Sequence, residues 1–373
     1  MKKLLIASAV SAAFAAPTVA LAQAARAPTL SQVLDASGIS VNGYLDLGYT
    51  HADRNIEGGA GVSTRVFDSQ NNSFALHQFG LSVSKLPTRG FGGLVNVTVG
   101  SDAQVIHSFP EAPGGGSVFD VTQAYAQYAD GQLTLIAGKF ATLQGTEVIW
   151  SPTNTNVSRS ILFGAIPFTH TGVRATWAVS DTVNLIAGIN NGWDQLTDRN
   201  RDKTVELGAT FNPIRPLNIS VSGYSGKEPA PLPTSPGSGT RTSINGVGSY
   251  NISNAISVGA ELLNVSQDIP VGGGATTSAK YTGLAAYGSY MFTPKLRGVA
   301  RVEQFDDKDG LHFGVAGTKY RELTATGAYL ASDSFEARAE LRRDQATNAV
   351  FRDFNGTFSK TLMTIAVQGL YKF

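Results

Sequence analysis

From residue 40 to the C-terminus, apolar and polar side chains alternate with a period of two, the signature of half-buried strands rather than helices. The alternation breaks into segments that predict strands over about 40–51, 73–85, 91–101, 121–130, 132–141, 169–179, 182–192, 203–213, 216–226, 241–252, 255–266, 278–292, 295–305, 318–332, 335–346 and 358–373. The connections alternate in length. Tight turns at Leu86-Pro87-Thr88-Arg89-Gly90, Asp130-Gly131, Ser180-Asp181, Asn212-Pro213-Ile214-Arg215-Pro216, Ser253-Asn254, Thr293-Pro294 and Ser332-Asp333 carry residues that tolerate turn geometry. Longer loops lie between them, at about 52–72, 102–120, 142–168, 193–202, 227–240, 267–277, 306–317 and 347–357.

The short–long rhythm predicts an all-β, antiparallel, up-and-down transmembrane barrel of about sixteen strands, with short periplasmic turns and long extracellular loops. An even strand number places both termini in the periplasm. Backbone polar groups cannot stay open in hydrocarbon, so a spanning sheet has to close on itself. A barrel of that size leaves a lumen wide enough for water.

Alternation also sorts each strand into faces. In 335–346, Phe335, Ala337, Ala339 and Leu341 oppose Glu336, Arg338, Glu340 and Arg342. In 295–305, Leu296, Ala300 and Val302 oppose Arg297, Arg301 and Glu303. A cation at the lipid midplane costs about 2–4 kcal/mol, so the charged faces are assigned to the lumen. The inward set is Asp46, Lys139, Arg174, Glu206, Glu261, Arg297, Arg301, Glu303, Glu336, Arg338, Glu340 and Arg342. Such rows either set a transverse field on passing solutes or are solvated wall paired across strands. Tyr49, Phe140, Phe211, Tyr281, Tyr290, Phe292, Tyr371 and Phe373 are assigned to interfacial girdles.

The two ends of the chain narrow the picture. Lys2 and Lys3, an apolar run to about Ala16, and the Ala20-x-Ala22 and Ala22-x-Ala24 steps predict a signal peptide over 1–24, cleaved after Ala22 or Ala24. Residues 25–39 read as a periplasmic linker, and 40–373 as the barrel. At the far end Phe373, Tyr371, Gly369, Val367, Ile365 and Met363 share one face, against Lys372, Gln368 and Thr364. A terminal Phe with Tyr two residues before it resembles the signal read by the outer-membrane barrel-assembly machinery. No stretch after the leader is apolar enough to predict a spanning helix.

Charged residues make up only 15% of the chain, the formal net charge is +1, and cysteine is absent. The near-neutral balance argues against nucleic acid as a partner, and the missing cysteine removes disulfides and thiolate metal sites. None of His51, His77, His107, His170 and His312 has a serine two residues later, the spacing of a barrel phospholipase, so no enzyme is expected. Asp198, Asn200 and Asp202 have the opening spacing of a calcium loop. Lys203 stands where glycine is needed and Ala209 where glutamate is needed, so a solvated turn is the ordinary reading. No cofactor or metal is expected.

One loop stands apart. Residues 142–168 are too many for a turn and too apolar (Ile149, Trp150, Ile161, Leu162, Phe163) to stand in water. Either the loop folds into the lumen or it caps the rim. Inward folding would bring Glu147, Asn154, Asn156 and Arg159 to a constriction beside Lys139, Arg174, Asp46, Arg297, Arg301, Glu303, Arg338 and Arg342.

The run Gly138-Lys139, Gly145-Thr146-Glu147, Asn154, Ser158-Arg159-Ser160, Pro167, Thr169-His170-Thr171-Gly172-Val173-Arg174 and Asn191-Gly192-Trp193-Asp194 resembles the OmpL-like β-barrel porin family of Gram-negative bacteria. Asn72-Ser73-Phe74 and Gln123-Ala124-Tyr125 fit it as well. The resemblance implies an outer-membrane channel, surrounded by outer-membrane lipid, through which small hydrophilic solutes diffuse. The alternatives are a substrate-selective channel and a non-conducting adhesin or structural barrel. Analogy with sixteen-stranded porins adds a homotrimer to the expectations.

Overall fold

Sixteen strands close on themselves in the computed structural model of the protein, which describes residues 28–57, 61–111, 116–229, 238–272 and 275–373. The expected signal peptide lies outside the described residues. The chain divides into two units, Met1–Gly38 and Ile39–Phe373. Within the first, the stretch read as a linker contains an α-helix, α1 (Leu30–Ser37). A capping box starts it: Gln32 N donates to Thr29 Oγ1, and Thr29 N donates to Gln32 Oε1. Gly38, at φ 67°, stops it.

The first half of the barrel is β1 (Ser40–Ala52), β2 (Ser73–Lys85), β3 (Arg89–Val99), β4 (Phe119–Asp130), β5 (Leu133–Ala141), β6 (Thr169–Ser180), β7 (Val183–Asn190) and β8 (Thr204–Phe211). The second half is β9 (Leu217–Pro229), β10 (Ser238–Asn251), β11 (Ile256–Gly272), β12 (Ala275–Thr293), β13 (Leu296–Asp307), β14 (Thr318–Leu330), β15 (Phe335–Ala346) and, after two short strands β16 (Phe351–Arg352) and β17 (Phe358–Ser359) that pair with each other, β18 (Thr361–Lys372). Each barrel strand pairs antiparallel with its chain neighbours, and β18 closes the ring on β1. At the seam Gly43 N donates to Phe373 O, and Phe373 N donates to Gly43 O, both at 2.9 Å. Every predicted strand is present.

The strands reach further into two predicted loops than the alternation indicates. In 227–240, β9 runs on to Pro229 and β10 begins at Ser238; in 267–277, β11 and β12 extend until Gly272 pairs with Ala275. Pro229, Pro270 and Gly272 sit near strand ends, where the ladder tolerates them.

Outward faces are apolar and exposed, as at Leu207, Ile244, Leu262, Leu323 and Ile365. Phe211, Tyr290, Phe292, Tyr371 and Phe373 are exposed, as a girdle requires. Phe140 and Tyr281 are not: both are buried inside the wall. Tyr281 shares the inward register of Ala279 and Ala285. Phe140 follows Gly138, whose φ of 136° interrupts the alternation so that Lys139 and Phe140 are both buried.

The interior is not uniformly polar. On the inner side of β11–β15 and β18, Leu263, Val265, Tyr281, Phe305, Tyr320 and Leu362 pack with Ile161, Leu162 and Ile166 into one apolar cluster. Phe305 and Tyr320 share the inward face with Glu303 and Glu322, nearer the long-loop end.

Candidate functional site

The segment between β5 and β6 is held at its neck, where Thr142 N donates to Phe168 O at 3.1 Å. Its first limb crosses β9–β11. Leu143 N donates to Tyr224 Oη at 2.7 Å, Gln144 Nε2 to Ser243 Oγ at 2.9 Å, Gly145 N to Asn245 Oδ1 at 3.1 Å and Thr146 N to Glu261 Oε2 at 2.8 Å. The bend at Gly145 needs glycine. Its φ is 98°, and a Cβ there would lie 2.6 Å from Ile166 Cδ1.

The loop's far tip reaches the opposite wall. Trp150 Nε1 donates to Asn96 Oδ1 on β3 at 2.9 Å, and Gln78 Nε2 on β2 donates to Ile149 O at 3.0 Å. Gln78 owes this aim to a register shift between β1 and β2, which leaves His77 as the extra residue. A 3₁₀ turn, Ser151–Thr153, then reverses the chain.

The return limb is clamped by carboxylates. Glu340 on β15 accepts Val157 N at 2.7 Å and Ser158 N at 3.0 Å. Glu147, on the loop itself, accepts Ser160 N at 2.6 Å. Glu303 on β13 accepts Ile161 N at 2.8 Å and Leu162 N at 2.7 Å. These N–H groups open the short helix α2 of the loop (Ile161–Gly164), where orphan donors and the dipole both favour negative charge. Wall arginines take the carbonyls. Arg301 donates to Ser158 O at 2.8 Å, Arg338 to Asn156 O at 3.2 Å and Arg342 to Arg159 O at 2.5 Å. Asn156 Nδ2 reaches Thr326 on β14 at 2.7 Å, and Tyr281 on β12 donates to Ala165 O at 2.6 Å.

The charges are paired as well as bonded. Arg301 lies 2.6 Å from Glu147 and 3.0 Å from Glu322. Arg342 lies 2.7 Å from Asp344, and Arg338 lies 2.7 Å from Glu336, which also pairs with Arg297. Removing one partner of such a pair leaves an uncompensated buried charge, at about 3–5 kcal/mol. The loop 53–72 adds Arg65, buried between Asp68 at 3.1 Å and Asp344 at 3.3 Å. Its Phe67 meets Phe163 edge to face, with ring centroids 5.6 Å apart.

Arg159 and Asn154 are placed differently from expectation. Arg159 is 1% exposed. Its guanidinium donates to Val148 O and Ile149 O at 3.0 Å and to Val157 O at 3.2 Å, with Phe67 and Phe163 over its faces. Burial lowers its pKa, and Glu147 opposes that shift. Asn154 bonds Val148 and Trp150 of its own loop. Both side chains organise the loop from within, because its main-chain groups are their nearest partners; neither faces lumen water. Lys139, Arg174 and Asp46 lie apart from the loop's clamps. Lys139 pairs with Asp120 at 3.3 Å, Arg174 with Glu206 at 2.5 Å over the Phe140 ring, and Asp46 accepts Gln368 Nε2 at 2.9 Å.

Sequence reasoning passed over Arg65, Gln78, Asn96, Glu322 and Asp344. The last two were within reach, since Glu322 shares the inward face of Thr324 and Thr326, and Asp344 continues the Glu336–Arg342 row. Arg65, on a loop, carried no such signal.

Two cavities flank the loop. One, of about 430 Å³, opens among the long loops and is lined by Ile56, Arg65, Val105, Ile161, Phe168 and Phe313. The other, of about 390 Å³, opens at the short-turn end and is lined by Asn42, Tyr44, Gln123, Trp150, Pro152 and Lys372. The Asp198–Asp202 turn is occupied by its own chain. Asp198 Oδ1 accepts Asn200 N and Arg201 N, and Oδ2 pairs with Lys203. Among the described residues no group of three His, Cys, Asp or Glu could hold a metal.

Residues 38–373 match the sequence profile of the family described as "Putative beta-barrel porin-2, OmpL-like". The chain belongs to this porin family. No curated protein sequence matches it. The outer membrane channel DcaP of Acinetobacter baumannii superposes on the porin with a TM-score of 0.64 at 13% identity, over 90% of this chain and 97% of that one. An anion-selective porin from Comamonas acidovorans gives 0.61 at 11%, over 90% and 99%. A trimer form of OmpT from Vibrio cholerae gives 0.59 at 11%, over 90% and 99%. At such identities the likeness shows the fold. Family and fold together make this protein a porin of the bacterial outer membrane.

Proposed function

We propose that small hydrophilic solutes diffuse through this porin along a path constricted by residues 142–168, between the cavity among the long loops and the cavity at the short-turn end. The observation that carries the reading is the loop's bonding to inward side chains of β2, β3 and β9–β15, from one wall of the barrel to the other. In this reading the long loops face the exterior, both ends of the chain lie in the periplasm, and the leader is removed on export. The trimer form of the Vibrio cholerae neighbour supports a homotrimer.

A second reading has an observation of its own. Wall and loop charges neutralise each other at 2.5–3.0 Å and the apolar cluster fills part of the interior, which favours a barrel that conducts only when the loop moves. Single-channel conductance in a planar bilayer separates the two. The wild type is compared with a variant whose residues 147–159 are replaced by a short Gly-Ser link. A conducting wild type with larger steps in the variant supports the constriction. A silent wild type and a conducting variant support the closed barrel. Equal steps in both would remove the loop from the path.

A further inference from the structure

The outward wall of β14 and β15 is apolar except near the long-loop end. There Arg321 and Arg343 point away from the lumen and are exposed. Their register makes them diagonal neighbours on one face: Arg321 pairs with Gln345, and Leu323 pairs with Arg343. Diagonal neighbours stand about 7–8 Å apart, so two long side chains there can converge on one group. Neither guanidinium has a protein partner among the described residues. Lys319 stands one step nearer the rim on the same face, and its partner Asp306, at 3.2 Å, accounts for the one acidic group beside it.

The depth of the pair follows from strand geometry. On β14 the outward aromatic near the short-turn end is Tyr329, eight residues from Arg321. On β15 it is Phe335, eight residues from Arg343. At about 3.3 Å per residue and a tilt of about 40°, that is about 20 Å along the membrane normal. The apolar band of such barrels is about 25 Å tall. Both arginines therefore sit just inside its long-loop edge, where an unpaired cation is costly and a lipid headgroup anion is within reach of a snorkelling side chain. The short-turn edge of the same face offers Leu296, Tyr329, Phe335 and Tyr371.

We propose that Arg321 and Arg343, with Lys319 beside them, dock the phosphate of a phosphorylated glycolipid in the outer leaflet. A planar guanidinium pair suits a phosphate, which accepts bidentate bonds. The assignment to that leaflet rests on the outward orientation of the long loops; the docking chemistry does not.

The test uses the purified, folded full-length mature protein in neutral detergent, probed by native mass spectrometry with diphosphoryl lipid A. Wild type is compared with Arg321→Gln/Arg343→Gln and with Lys227→Gln as a remote control, each confirmed folded by circular dichroism. The expected result is one retained lipid A on the wild type and the control, and about tenfold or greater weakening in the double variant. Equal retention by the double variant would overturn the proposal. So would displacement of the lipid by equimolar inorganic phosphate, which would make the site a reader of free anions. A change of oligomeric mass in the double variant would assign the face to contact between copies instead. Labelling Asn348→Cys on intact cells tests orientation separately, so that an inverted barrel and a failed docking site give different results.

Discussion

Glu340→Gln isolates the clamp on the return limb. The carboxylate accepts Val157 N at 2.7 Å, Ser158 N at 3.0 Å and Thr326 Oγ1 at 2.7 Å. Glutamine keeps the volume but has one acceptor oxygen, so its amide nitrogen must face one of the two loop N–H groups. A hydrogen bond to a charged group contributes about 1.5–3 kcal/mol, and a buried donor left unmade costs about 1–3 kcal/mol. The docked state should weaken by about 2–4 kcal/mol, a factor of about 30 to 1,000 in the docking equilibrium. The β14–β15–β18 ladder is main chain and is untouched, so the barrel's thermal unfolding in detergent should stay put. Hydrogen exchange reads the effect directly: protection of Val157 and Ser158 should fall at least tenfold while the flanking strand amides of β15 keep theirs. In a bilayer the variant should show more frequent transitions to larger steps. Unchanged protection at both amides would refute the reasoning, because it would mean that Glu340 merely stands beside a loop held elsewhere.

Three further outcomes are expected. Arg159→Ala should raise current noise and step size without moving the reversal potential in a salt gradient, since its guanidinium is wrapped by loop carbonyls; a clear shift in ion preference would contradict that placement. Phe305→Ala should destabilise the folded barrel by about 3–5 kcal/mol in denaturant titration, whereas a loss below about 1 kcal/mol would mean that water already surrounds the ring. Asp194, in the loop after β7, accepts Phe168 N and Thr169 N, and burial pushes its carboxyl up to about 7. A raised carboxyl means that the folded state holds the proton more tightly than the unfolded chain, so its contribution to stability is present in acid and lost as pH rises through about 7. Protection factors at Phe168 and Thr169 should therefore fall between pH 5 and 8.5, and Asp194→Asn should flatten that profile.

Much of this was legible because a period of two is both local and strict. One residue of slip would turn Glu303 into lipid, so the alternation in 295–305 fixes the inward side of β13 without any view of the fold. The same rule, followed further, points Phe305 and Tyr320 inward, and it is the habit of sending aromatics to the lipid that hides them. Phe140 was illegible for another reason, since the interruption at Gly138 depends on a backbone angle that the residue type permits but does not announce. Arg159 shows the limit most clearly. Its partners are main-chain carbonyls, which every residue carries, so nothing in the side-chain sequence distinguishes an arginine facing water from one wrapped by its own loop. Asn154 is hidden in the same way.

The ion-paired wall also changes what the charged rows can do. A transverse field needs cations on one side of the path and anions on the other, both free to act on a passing solute. Here Arg301, Arg338 and Arg342 sit on the same face as Glu303, Glu322, Glu336, Glu340 and Asp344; the arginines grip the carbonyls of one segment, and Glu303 and Glu340 its N–H groups. Their fields largely cancel at the separations of an ion pair, and what remains is directed at the loop's own dipoles. Substitutions in these rows should therefore alter how often and how widely the path opens. Ion preference should respond instead to charge placed in the flanking cavities, where Lys372 on one side and Glu57 on the other lie outside the clamp. A Lys372→Glu variant that left the reversal potential unmoved, beside a Glu340→Gln variant that shifted it, would reverse this division of labour.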